Sequence, residues 1–119
     1  MKESILAERS LLFAIRIVKL YKFLCAEHKE FVLSKQLLRS GTAVGALVRE
    51  ANHAESLADF IHKMSIALKE CNESVYWIEL LWRTDYLGIP EYESIQDDAT
   101  QILKMLIASI KTAKSKRTS

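Results

Sequence analysis

From Leu57 to Trp82 an apolar side chain recurs at alternating intervals of four and three residues: Leu57, Ile61, Met64, Leu68, Cys71, Val75, Ile78 and Trp82. That spacing lays one continuous apolar seam along an α-helix, and it is incompatible with the period of two that a half-buried strand needs. The same alternation appears less strictly in three more stretches. One carries Leu6, Phe13, Ile17, Leu20 and Leu24. A second carries Leu33, Leu37, Ser40, Val44, Leu47, Ala51 and Ala54, with small residues where bulkier ones are usual. A third carries Ile95, Ala99, Ile102, Leu106, Ile110 and Ala113, flanked by Leu103 and Ile107.

The breaks between the stretches have local causes. Glu27 to Glu30 is a charged corner with few apolar residues. Ser56 with Asp59 three positions on matches a capping box, placing a carboxylate at the positive end of a new helix. Gly88 is suited to the left-handed cap that ends a helix, and Pro90 lacks an N–H that only a first turn can spare, so Asp85 to Pro90 is read as a turn. The expected helices span about 3–27, 31–54, 57–86 and 91–114, with a frayed basic tail at 114–119. Connections this short force antiparallel neighbours. The expected fold is all-α, an antiparallel up-down-up-down four-helix bundle forming a single domain over 1–119.

Composition agrees. Three glycines and one proline in 119 residues leave little to interrupt helices. The net charge of +2 is uneven, because Lys111, Lys114, Lys116 and Arg117 all fall in the last nine residues and the preceding chain is slightly acidic. Two cysteines, Cys25 and Cys71, are too few for a disulfide framework and sit among apolar neighbours, which suits a reducing cytoplasm. Charges at Glu8, Arg9 and Arg16 interrupt the first helix, so neither a signal peptide nor a membrane span is expected.

The first helix is more apolar than a bundle requires. Beside its seam it carries a second strip, Leu11, Ile15, Val18, Tyr21 and Cys25, and the two together cover well over half the circumference. A peripheral bundle helix needs an apolar arc of only about 100° or somewhat more. Ile66, Tyr76 and Trp77 likewise lie off the third seam, and Tyr and Trp are favoured at interfaces. A homo-oligomer is expected, with Leu11, Ile15, Val18, Tyr21, Ile66, Tyr76 and Trp77 in its interface. The alternative is that these rings only lean on the surface of a monomer.

The stretch Ser34-Lys35-Gln36-Leu37-Leu38-Arg39-Ser40-Gly41-Thr42-Ala43-Val44-Gly45-Ala46 resembles the signature of four-helix-bundle proteins encoded in intervening sequences of bacterial 23S ribosomal RNA genes. A second block, Asp59-Phe60-Ile61-His62-Lys63-Met64 leading into Ile66 to Ser74 and Tyr76-Trp77, resembles that family's third-helix pattern. Ala43 and Leu47 depart from it, standing where the family usually has Ser and Asn. The resemblance implies a four-helix bundle, often a ring of five, without established enzymatic activity. It also implies a fold similar to the accessory proteins of diversity-generating retroelements, which are thought to bring nucleic acid and a reverse transcriptase together. Fold alone does not fix function.

Several groups of residues invite a functional reading. Gly41 and Gly45 form G-x-x-x-G, reinforced by Ser40, Ala43 and Ala46; two interior glycines cost about 1 kcal/mol each relative to Ala, so close helix packing through Ser40, Gly41, Gly45 and Ala46 is expected, with approach of a ligand as the alternative. Lys35, Arg39, Thr42, Ala46, Arg49 and His53 fall within a strip roughly 80° wide on one helix. Repeated around a ring, Lys35, Arg39, Arg49 and His53, with Lys111, Lys114, Lys116 and Arg117, would make a phosphate-binding surface. Alternatively Arg39 and Arg49 pair with Glu70 and Glu73.

Glu50 and His53 form E-x-x-H, but a di-metal bundle needs that motif on two helices and a Glu on each of the others, so no metal and no cofactor is expected. His28 and His62 read as solvated. No Ser/His/Asp set, phosphate loop or zinc spacing appears, and no enzyme activity is expected. The reading is a cytoplasmic, non-catalytic, oligomeric binding or scaffolding module with RNA or DNA, RNA first, as ligand; the rival is a purely structural or protein-binding homo-oligomer.

Overall fold

Four helices carry the chain: α1 (Lys2–His28), α2 (Leu33–Ala51), α3 (Leu57–Arg83) and α4 (Ile89–Thr118). The computed structural model describes residues 2–118, and side chains within 5–117. Each helix packs beside the next in chain order and α4 returns to α1, the most thinly packed of the four seams. The all-α four-helix bundle expected from the sequence is present, as a rod of 51 × 21 × 21 Å. Among the described residues no helix is long and apolar enough to cross a membrane.

The core is the apolar seam of each helix. Phe13, Ile17 and Leu24 of α1, Leu37, Val44 and Val48 of α2, Met64, Cys71, Ile78 and Leu81 of α3, and Ile102 and Leu106 of α4 are fully buried. A side chain such as Leu or Ile removed this completely from water stabilises the fold by roughly 1.5–3 kcal/mol. All six predicted seam residues of α4 are buried.

The third helix departs from its predicted seam. Ala67, Ser74 and Leu81 are buried, whereas Leu68, Val75 and Trp82 are half-buried against the core and Leu57 is exposed. Because α3 lies between α2 and α4, it needs a wide buried arc. Its small residues face α2, where the Ser40 and Ser74 hydroxyls meet at 2.9 Å. On the other flank, Trp82 stacks on Tyr92 of α4 with ring centroids 4.3 Å apart.

Helix ends follow backbone chemistry. The Ser56 hydroxyl accepts from the Asp59 N–H at 3.0 Å, forming the expected cap of α3. The helix then stops at Arg83, three residues before the expected end, and Gly88 does not supply the cap. Asp85 takes the left-handed conformation (φ 69°). Its N–H bonds Trp82 O and that of Tyr86 bonds Leu81 O, the paired closure of a Schellman end. Gly88 instead caps the start of α4, its carbonyl accepting from Tyr92 N–H at 2.9 Å, and Pro90 falls in the first turn, where its missing N–H costs nothing.

Two more boundaries shift. Helix α2 runs 33–51 rather than 31–54, starting where Glu30 caps it. Helix α4 runs through Thr118, so the expected fray is helical as far as it is described. No Gly or Pro follows Pro90 to stop it, and Lys116 and Arg117 in the last turn complement the negative end of the helix dipole.

Candidate nucleic-acid interface and assembly surface

The residues of α2 divide between its two faces. Leu37, Ser40, Gly41, Val44, Val48 and Ala51 point inward, so Lys35, Arg39, Ala46 and Arg49 are exposed on the side turned away from the core, with Thr42 half-buried, whereas His53, expected on the same helical strip, is exposed in the turn after α2 has ended. Arg39 forks between two carboxylates of α3, Glu70 at 3.1 Å and Glu73. Arg49 reaches neither of them, because ten residues of helix place it about 15 Å further along. Among the described residues Lys35 and Arg49 have no ion pair. They stand about 21 Å apart along the helix, with a neutralised Arg39 between them.

The four basic residues of the C-terminal turns, Lys111, Lys114, Lys116 and Arg117, are exposed on α4. They lie at the end of the rod that also holds Arg49 and His53, but α2 and α4 occupy diagonal corners and their backbones do not come close. The structure therefore makes two basic surfaces rather than one continuous patch.

The glycines mark where α1 crosses α2. A Cβ on Gly41 would stand 2.9 Å from Ile17 Cγ1, and one on Gly45 would stand 3.4 Å from the Ser10 backbone. Ser40 serves the opposite seam through Ser74. Ala46 is exposed and belongs to the outer strip, not to the packing set, because one residue beyond Gly45 the helix has turned by about 100°.

The outer face of α1 mixes apolar side chains with the exposed charges of Glu8, Lys19 and Lys22. Leu11, Leu12 and Ile15 are 42%, 52% and 43% exposed. On a projection of about 100° per residue they centre directly opposite Phe13, Ile17 and Leu24. Val18 and Tyr21 are half-buried toward α2. The off-seam residues of α3 separate: Tyr76 is exposed, while Ile66 and Trp77 are half-buried and Trp77 packs on the core with its ring edge against Tyr76.

Residues 2–108 match the 23S rRNA-intervening sequence protein family. The chain belongs to that family. A crystal structure of a protein of unknown function from the S23 ribosomal protein family of Bacteroides thetaiotaomicron is 59% identical, covers 93% of this chain and 99% of its own, and superposes with a TM-score of 0.92. No functionally curated protein matches the chain.

Membership in the 23S rRNA-intervening sequence protein family accounts for the four helices but supplies no ligand, so the chemistry rests on this chain's own residues. Glu50 of the E-x-x-H pair binds Lys63 at 2.9 Å instead of facing a metal position. Among the described residues no three of His, Cys, Asp and Glu converge on one point. His28 is exposed, yet its ring stands edge-on to both Phe23 and Tyr86, bracing the α1 end against the α3–α4 turn.

One structural residue escaped the sequence reading. Glu30 is only 8% exposed, and its carboxylate accepts from the N–H groups of Val32, Leu33 and Ser34 at 3.2, 2.9 and 2.7 Å while the Ser34 hydroxyl donates to the Glu30 carbonyl. Burial alone would raise this carboxyl, but the three N–H donors outweigh it and hold it below the ordinary carboxylate range. The signal available was a glutamate four residues before a serine at a helix start, hidden in what read as a charged corner.

Proposed function

We propose that this protein is a non-catalytic, homo-oligomeric scaffold that presents basic surfaces to nucleic acid, RNA in particular. The reading rests on two neighbouring outer faces: α1 exposes Leu11, Leu12 and Ile15 among the charged Glu8, Lys19 and Lys22, and α2 beside it carries Lys35 and Arg49, with His53 exposed in the turn that follows. Scattered exposed apolar residues are ordinary. Three centred on the line farthest from the core are suited to burial against another copy. Assembly into a ring, of five by the resemblance, then repeats the α2 cations and the basic end of α4 in every protomer. Weak single-site attraction to phosphate becomes usable through multivalency.

The rival reading, an oligomer with no nucleic-acid role, draws on Arg39, whose charge is already shared between Glu70 and Glu73. Fluorescence anisotropy of a labelled single-stranded RNA separates the two. The scaffold reading predicts affinity that falls with salt and is lost on the double reversal Lys35→Glu and Arg49→Glu, with assembly unchanged. An oligomer that leaves RNA unbound at low salt would support the rival.

A further inference from the structure

At one end of the rod the α1–α2 and α3–α4 connections lie side by side, with the His28 ring edge-on to Tyr86 at 5.7 Å between centroids. Each connection turns on a non-glycine residue in the left-handed conformation, Lys29 (φ 53°) in the first and Asp85 (φ 69°) in the second. The opposite charges of these two residues continue into the helices that follow. Lys35 is exposed in the first turn of α2, and Glu91 and Glu93 are exposed at the start of α4. Among the described residues none of these five side chains is in an ion pair; the Lys29 ammonium turns back to the Ala26 carbonyl at 3.2 Å. Glu27 is an exposed carboxylate on the basic side, and Arg83 on the acidic side is already held by Glu79 at 2.8 Å. The same end leaves large apolar side chains in water. Val32 is 70% exposed and Ile89 is 60% exposed, and Phe31 is exposed next to Val32.

We propose that this end of the rod binds the same end of a second copy, tip to tip, about a two-fold axis running between the two connections. A two-fold contact requires a patch that matches itself after rotation. Here the basic half of each copy meets the acidic half of the other: Lys29 and Lys35 face Asp85 and Glu93, and Phe31 and Val32 cover Ile89. Burying these apolar groups supplies attraction, and the paired charges fix which half meets which. An anionic bilayer fits this end less well, because the acidic half would be repelled by it. The 21 × 21 Å cross-section of the rod limits the contact to roughly 450 Å² per protomer. That is below the roughly 600 Å² per partner at the lower end of stable interfaces, so single protomers pair reversibly. The contact leaves Leu11, Leu12 and Ile15 free, and an assembly built through α1 would present several such ends together and pair more tightly.

Sedimentation equilibrium of the full chain, freed of nucleic acid and loaded between about 10 μM and 1 mM, tests this. At low salt the average mass should climb with concentration toward twice its starting value, and high salt should hold it down. Lys29→Glu with Lys35→Glu leaves both halves of the tip acidic. Asp85→Lys with Glu93→Lys leaves both basic, and Lys29 itself shows that lysine accepts the left-handed turn. Each variant alone should weaken self-association roughly tenfold or more, and an equimolar mixture of the two should restore it. Val32→Ser with Ile89→Ser should weaken it as well, with circular dichroism unchanged. In the Leu12→Lys, Ile15→Glu background the doubling should start from the single-protomer mass, so loss of assembly through α1 reads separately from loss of the tip contact. A mass independent of concentration, doubling that survives both charge variants, or a mixture that stays apart would overturn the proposal. So would vesicle binding that Val32→Ser with Ile89→Ser abolishes in a protein of constant mass, which would give the tip to a lipid surface.

Discussion

Gly41 and Ile17 meet where α2 packs against α1: a methyl group on Gly41 would meet Ile17 Cγ1 at 2.9 Å and Cγ2 at 3.0 Å. Ile17 is fully buried and branched at Cβ, so it has little freedom to move aside. Gly41→Ala gains about 1 kcal/mol of helix propensity but overpacks the core at a cost of typically 1–3 kcal/mol, and net destabilisation is expected. Gly45 faces ordinary contact at 3.4 Å, so Gly45→Ala should be neutral or stabilising by up to about 1 kcal/mol. Urea unfolding of the two variants, compared with the parent, checks this opposition in sign.

Acid should weaken the start of α2. The folded Glu30 carboxyl lies below its unfolded value, so its contribution is complete above the unfolded pKa of about 4.3 and is lost as pH falls through the lower folded value. Glu30→Gln should cost roughly 1 kcal/mol at neutral pH, and the difference from the parent should narrow on acidification. A difference that stays constant as the pH falls well below 4, roughly, would show that the charge contributes nothing.

The two cysteines should react very differently. Cys71 is fully buried, donates to the Ala99 carbonyl at 3.3 Å, and burial pushes its thiol up to about 12. Cys25 is half-buried on the flank of α1. Because the thiolate is the reacting form, a disulfide reagent at mildly alkaline pH should modify one thiol in the native protein and the second only on unfolding. Two thiols reacting at the same rate would contradict the placement of Cys71.

Leu12→Lys with Ile15→Glu tests the outer face of α1. Ile15 lies opposite the core and Leu12 is half exposed at the edge of the α1–α4 groove, so helicity should hold and unfolding of the protomer should change by no more than about 1 kcal/mol. Assembly should fail, and sedimentation should report a lower mass. An unchanged mass would move the interface elsewhere on the protein.

Periodicity made the helices and their order legible, because an apolar seam needs only the identities of the residues. The finer choice between Leu68 and Ala67, or between Trp82 and Leu81, depended on which flank of α3 approaches its neighbour more closely. The Ser40 and Ser74 pair decides that, and it belongs to two helices at once. Helix ends were harder. Asp85 rather than Gly88 took the left-handed position, since Asp accepts that conformation when the surrounding bonds form. Lys35, Arg39 and Arg49 could be placed on one face from spacing alone. Which of them a carboxylate neutralises depends on the height of α3 beside α2, and no single-helix pattern carries that.

Whether the protein is an oligomer that presents cations to nucleic acid is read in one run of size-exclusion chromatography with light scattering on protein purified at low salt, with absorbance read at the nucleic-acid and protein maxima. The expected result is a mass of several protomers and an excess of nucleic-acid absorbance that high salt removes. A protein of single-protomer mass, free of nucleic acid at low salt, would contradict it.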